Sequence, residues 1–158
     1  MQALVTGVAG FIGSTLAERL LADGADVVGI DCFTDYYPRA IKERNLGSFI
    51  DHPRFRFLPL RIQDADLGEL LADRTHVFHL AAQAGVRKSW GRDFAVYTEN
   101  NIEATQVLLE AVVRAKPRLE RFVYSSSSSV YGDNVSIPMR EDALPQPVSP
   151  YGVSKLAA

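Results

Sequence analysis

Tyr151 and Lys155 stand four residues apart in SPYGVSKLAA at 149–158. On a helix, residues at that spacing share one face. An ammonium beside a phenol favours the phenolate and lowers its pKa toward the working range. Such a pair can accept a proton from a sugar or alcohol hydroxyl. Taken alone, Tyr-x-x-x-Lys is equally an ordinary solvated helix face. A second constellation is TGVAGFIG at 6–13, with Gly7, Gly10 and Gly13. Glycines between a strand and a helix let a pyrophosphate approach the backbone, and the helix N-terminus offers N–H groups and a partial positive charge. Asp31 follows Gly13 by 18 residues and ends the next apolar run. A carboxylate there can take both ribose hydroxyls of an adenosine and repels a 2′-phosphate, so NAD is expected over NADP. The plain alternative is a glycine turn and a surface aspartate. The third stretch is RFVYSSSSSVYG at 121–132, whose five serines are either a tether or chemistry.

The elements that must position these residues alternate along the chain. Gln2–Thr6, Ala25–Ile30, Arg54–Leu60, His76–Leu80 and Phe122–Tyr124 read as strands. Phe11–Ala22 carries Ile12, Leu16 and Leu20 at helical spacing, Asp64–Leu71 reads as a short helix, and 94–115 as a long one stopped by Pro117. Ser149 is expected to cap the last helix, with Pro150 at its first position. Buried apolar strands alternating with helices predict a Rossmann-like, doubly wound parallel sheet with helices on both faces. The serine run then lies at the carboxyl end of a parallel strand, where ligands of such sheets bind, and the tether reading recedes. Four prolines between Pro138 and Pro150 mark the intervening stretch as loop.

With 158 residues, 47% hydrophobic and 23% charged, the chain can bury a real core and is not expected to be disordered. A net charge of −2 gives no basic footprint for nucleic acid or an anionic membrane. The start lacks a basic leader, and no apolar run approaches the roughly 18 residues of a membrane span. The single cysteine, Cys32, has no internal partner, and no Cys/His cluster has zinc spacing, so no metal is expected. A cytoplasmic protein is expected.

TGVAGFIG, HLAAQAG, SSSVYG and YGVSK, in this order, resemble the extended short-chain dehydrogenase/reductase family, and within it the nucleotide-sugar epimerases and dehydratases. The likeness runs from Met1 to Ala158. The stretch from Asp35 to Pro38 with Lys42 and Arg44, and AAQAGVR at 81–87, are most similar to UDP-glucuronate 4-epimerases. The resemblance implies NAD held by Gly7, Gly10, Phe11, Ile12, Gly13, Asp31, Ile62, Leu80, Ala81, Ala82, Tyr151 and Lys155. It implies that Tyr151, Lys155 and Ser127 are catalytic, with Ser127 on the reacting sugar hydroxyl. Ser128, Ser129, Arg87 and Tyr151 would line the UDP-sugar. Asn101 matches a family asparagine near the active site. Related 4,6-dehydratases carry an Asp-Glu pair after the position of Ser127, and decarboxylating relatives a Glu before Val-Tyr-Gly. Ser128 and Ser129 stand there, so C4 oxidation and re-reduction of UDP-glucuronate is expected. The alternatives are a decarboxylase or other reductase of the same family, or a catalytically silent NAD-binding module.

Two departures are visible. Arg61, in Leu60-Arg61-Ile62, stands where relatives place an adenine-binding acid. Family members also continue for about as much chain again, with further strands and a substrate domain. Residues 1–158 are thus expected to be an NAD-binding domain cut within the catalytic helix and inactive alone. The resemblance implies a homodimer in the intact protein, or a complementary C-terminal chain. A helix of about nine residues is marginal without packing partners, so 150–158 is expected to need a remaining or neighbouring chain. His76 and His79 are expected to be packed or hydrogen-bonded, Cys32 a small filler, and Trp90 and Tyr97 packing.

Overall fold

The computed structural model describes residues 1–115, 118–133 and 135–158, in two compact units. Pro117, the expected helix stop, lies outside the described residues.

The first unit holds Met1–Ala81 and Val107–Ser125. Its sheet is formed by β1 (Gln2–Thr6), β2 (Asp26–Ile30), β3 (Phe55–Leu58), β4 (His76–His79) and β5 (Arg121–Tyr124), all parallel, in the order β3-β2-β1-β4-β5. The chain winds outward from β1 to β3, then returns past β1 to β4 and β5. The direction of winding therefore reverses between β1 and β4, the place where open parallel sheets bind ligands. Ala3, Leu4, Val5 and Thr6 of central β1 are fully buried, which is why the strand reads as a continuous run. Strands β2, β3 and β4 are shorter than the sequence suggests, and β5 begins one residue earlier, at Arg121.

Helix α1 (Phe11–Ala22) buries Gly13, Ser14, Ala17, Leu20 and Leu21. Ile12, expected on its apolar stripe, is instead 61% exposed beside the glycine loop. Helix α2 (Arg39–Leu46) has no counterpart in the sequence reading. It is polar, with an exposed Arg39–Glu43 ion pair at 2.7 Å, and only Lys42 and Leu46 are buried. The expected helix at 64–71 divides into a 3-10 turn, Ile62–Asp64, and α3 (Leu67–Leu71). Asp66 caps α3, accepting the Glu69 N–H at 3.0 Å.

The second unit holds Ala82–Gln106 and Ser126–Ala158. The long helix is not uniform: α4 (Phe94–Tyr97) passes into a π-helical stretch, Thr98–Glu103, before α5 (Ala104–Ala115). Polar side chains here bond back to carbonyls one turn earlier. Asn100 Nδ2 donates to Val96 O at 2.8 Å and Thr105 Oγ1 to Asn101 O at 2.6 Å. Such bonds compete with the regular ladder, and single π turns concentrate at functional places. A 3-10 turn, Ser128–Val130, and α6 (Pro150–Ala157) complete the unit. Helix α6 buries Gly152, Ser154 and Lys155 against residues of its own unit.

Candidate active site

In the first unit the glycine loop leaves β1 at Gly7, whose φ is +69° and whose N–H donates to Ile30 O at 2.8 Å. A Cβ on Gly7 would meet Ala81 N at 2.8 Å, and one on Gly13 would sit on the Gly7 carbonyl. Only glycines allow this path. Gly10 caps α1 and has no side chain to bond the first-turn N–H groups, so those donors remain for an incoming acceptor. Phe11, 81% exposed, and Ile12 flank the loop.

Asp31 is deeply placed rather than a surface acid. Its Oδ2 accepts the Ala9 N–H at 3.1 Å and its Oδ1 the Phe33 N–H at 2.8 Å. A carboxylate has about four acceptor sites, so lone pairs remain for hydroxyls. The ammonium of Lys42 lies 3.7 Å from Oδ1, with both side chains over nine-tenths buried. Thr34 Oγ1 accepts from that ammonium at 3.3 Å, and the Tyr37 ring lies 5.2 Å from it. Burial, and then the Asp31 charge, raises the Tyr37 pKa and keeps the phenol protonated. Sequence reasoning assigned no role to Lys42 or Tyr37. The only signal was their place in the quoted stretch after Asp31.

After β4, the Leu80 and Ala81 N–H groups both donate to Thr6 Oγ1, at 3.1 and 3.0 Å. Both lone pairs of that oxygen are then used, so its hydrogen points to His79 Nδ1, 2.8 Å away. Buried His79 is therefore a hydrogen-bonded part of the sheet, as expected. His76 Nδ1 lies 2.9 Å from Thr75 Oγ1. Ile62 is buried in its 3-10 turn, next to half-buried Arg61.

The second unit carries Tyr151, Lys155, Ser127, Ser128, Ser129, Arg87 and Ala82. Ser149 caps α6 as expected, accepting the Gly152 N–H at 3.0 Å, with Pro150 at the first helical position. The Tyr151 N–H donates to Ser89 Oγ at 3.0 Å, and the Ser89 hydroxyl donates to Val86 O at 2.6 Å. The Tyr151 carbonyl accepts from Ser154 Oγ at 2.8 Å, and Ser154 Oγ accepts from Asn101 Nδ2 at 2.8 Å. Asn101 also accepts the Gln83 N–H at 2.7 Å and donates to Gln83 O at 3.2 Å. The Tyr97 ring meets the Tyr151 ring edge-on, centroids 6.2 Å apart, while its hydroxyl donates to Gly85 O at 2.7 Å. Tyr97 is packing, as expected; Trp90, also expected to pack, is 60% exposed.

Lys155 is only 5% exposed, and that burial lowers its pKa to about 8. A Cβ on Gly152 would stand 2.5 Å from the Ser129 carbonyl oxygen, so the first turn of α6 rests directly on the serine turn. Ser127 caps that turn by accepting the Ser129 N–H at 3.2 Å. The serines are thus an ordered turn against the Tyr-Lys helix, not a tether. Ser128 and Arg87 are exposed, and Ser127 and Ser129 half-buried.

A parallel sheet with a glycine loop after β1, a buried acid after β2 and a capped Tyr-x-x-x-Lys helix is the arrangement expected of an extended short-chain dehydrogenase/reductase. Residues 4–158 match the family described as GDP-mannose 4,6 dehydratase, and the chain belongs to that family. It is 45% identical over 157 residues to an uncharacterised UDP-glucose epimerase of Bacillus subtilis (strain 168), covering 99% of this chain and 49% of that protein. It is 42% identical over 160 residues to the UDP-glucose 4-epimerase of Mycolicibacterium smegmatis (strain ATCC 700084 / mc(2)155), with the same coverage. The UDP-glucuronic acid 4-epimerase of Bacillus cereus, solved in complex with UDP-glucuronic acid and NAD, superposes with a TM-score of 0.94 at 49% identity, covering 99% of this chain and 49% of that one. The chain spans about half the length of these relatives.

Proposed function

We propose that the protein is an NAD-dependent UDP-sugar 4-epimerase that interconverts UDP-glucuronate and UDP-galacturonate. The observation that carries this reading is α6, where Tyr151 is held at both its N–H and its carbonyl and Lys155 lies buried on the same face. The first unit fits a dinucleotide on its own terms. Gly7 and Gly13 let the loop pass tightly, since a Cβ there would strike the Ala81 or Gly7 backbone, the α1 N-terminus keeps its donors, and Asp31 keeps acceptor capacity. Gly7, Gly10, Phe11, Ile12, Gly13, Asp31, Ile62, Leu80, Ala81 and Ala82 would hold NAD. NAD held there would supply reversible hydride acceptance for the C4 position, and would be a resident group rather than a consumed one.

The chain's own residues handle the proton. Tyr151, as phenolate, accepts the proton of the C4 hydroxyl and later returns it to the 4-keto sugar. Lys155, while charged, stabilises that phenolate. The Ser127 hydroxyl, which both donates and accepts, serves the alcohol and the ketone alike. Ser129 and Arg87 would line the sugar nucleotide. Water expulsion from the sugar needs an added acid and base, and Ser128 and Ser129 supply neither, which supports epimerisation over dehydration. The bound B. cereus relative supports the glucuronate assignment, whereas the two epimerases named for UDP-glucose make UDP-glucose the other substrate to assay. We take NAD binding to centre on residues 1–158, with a homodimer as the working assembly. Incubating the purified protein with UDP-glucuronate or UDP-glucose and separating the 4-epimers by chromatography tests the reading. Turnover that disappears in Tyr151→Phe supports it, and no turnover of either sugar refutes it.

A further inference from the structure

Tyr151 is the second residue of α6, and the N–H groups of a first helical turn have no partner within their own helix. Ser149, the local cap, serves Gly152. The Tyr151 N–H is instead taken by a hydroxyl 62 residues away in sequence, that of fully buried Ser89. Ser89 is not a passive acceptor, because its own hydrogen is committed to Val86 O at 2.6 Å. This fixes the direction of the oxygen's lone pairs and makes the bond to Tyr151 directional. The segment carrying Ser89 is itself anchored: Gln83 is held through N–H and carbonyl by Asn101, and Gly85 O by the Tyr97 hydroxyl. The Tyr97 ring then meets the Tyr151 ring.

We propose that Ser89 is a positioning residue for Tyr151: by capping the Tyr151 peptide from the 83–89 segment, it sets the rotation and height of α6 and so the place of the phenol oxygen. Ser89 touches no reacting atom. Proton transfer depends steeply on such placement, and a displacement of about 1 Å costs on the order of a hundredfold in rate. A helix left with Ser149 alone keeps its fold but not its register against Tyr97. The proposal rests on Tyr151 being the proton acceptor of the epimerase reading.

The test compares the purified wild-type protein with Ser89→Ala and Ser89→Thr. Ser89→Ala is expected to lower kcat at least tenfold, with KM for UDP-glucuronate and the amount of NAD retained within about twofold; Ser89→Thr, which keeps the hydroxyl, recovers at least part of kcat. Equal kcat in Ser89→Ala overturns the proposal. So does a parallel loss of kcat, KM and bound NAD, which marks general unfolding. Two NMR readouts do not depend on turnover. In the wild type the Tyr151 amide should be protected from exchange like the interior amides of α6, unlike an ordinary second-position amide. The Tyr151 ring resonances, assigned with Tyr151→Phe, should shift in Ser89→Ala. If the wild type turns over no UDP-sugar, the function assigned above fails while these resonances still decide the positioning role. An unprotected Tyr151 amide, or unmoved ring signals, overturns it.

Discussion

Replacing Lys155 with methionine should make the protein more stable while removing its activity. Methionine has a similar length and no charge. The Lys155 pKa falls from 10.5 to about 8 because burial penalises the ammonium. A difference of that size corresponds to about 3 kcal/mol that the folded state gives up to keep the charge, taking ~1.4 kcal/mol for each pH unit. The direction with pH follows from proton counting. Between about pH 8 and 10.5 the unfolded chain holds a proton that the folded chain has released, so folding stability rises with pH across that window. Below pH 8 the cost is present in full. Lys155→Met removes it, and also removes any contact the ammonium makes, so the expected net gain at pH 7 is about 1–3 kcal/mol. For a chain of 158 residues that is a rise of several degrees in Tm. Urea unfolding of both proteins at pH 6.5, 8 and 9.5 reads the effect. The gap should be widest at pH 6.5 and narrow toward pH 9.5, since other titrating groups cancel in the comparison. A methionine variant less stable than wild type, or a gap that does not change with pH, refutes the reasoning. Stability given up at a working residue is the usual trade of an active site.

Three further outcomes are expected. Gly152→Ala would place a Cβ 2.5 Å from the Ser129 carbonyl, so it should cost about 1–3 kcal/mol in urea unfolding and abolish turnover. Ser149→Ala removes the cap on the Gly152 N–H and should cost about 1 kcal/mol by the same measurement. Asp31→Ala should weaken NAD binding at least tenfold in calorimetric titration, about 1.4 kcal/mol; unchanged affinity would remove Asp31 from the site.

What the sequence disclosed was local. The glycine loop, the Ser149 cap with Pro150 behind it and the buried central strand β1 each rest on residues within a few positions of one another, and each is found where expected. Helix α2 escaped notice because it has no apolar stripe, only Leu46 and the buried stem of Lys42. The π turn at 98–103 escaped because Asn101 is held by Gln83 and Ser154, and no periodicity records such partners. Ser89 carried no signal at all: a serine in a short loop gains meaning only from the amide it meets. Lys42 beside Asp31 shows the same limit, since the two are 3.7 Å apart in space but on different elements. The serine run was legible in part. Its position after β5 pointed to a site, while the contact of its Ser129 carbonyl with Gly152 needed the folded chain.

The central claim is that hydrogen leaves sugar C4, is kept on the enzyme and returns to the other face while Tyr151 handles the proton. UDP-glucuronate carrying deuterium at C4, incubated with the purified protein in ordinary water, tests it directly by mass spectrometry of the separated products. The account predicts UDP-galacturonate that keeps the label at C4, and no product from Tyr151→Phe. Product that has lost the label to solvent, or label-retaining product formed equally well without Tyr151, would contradict it.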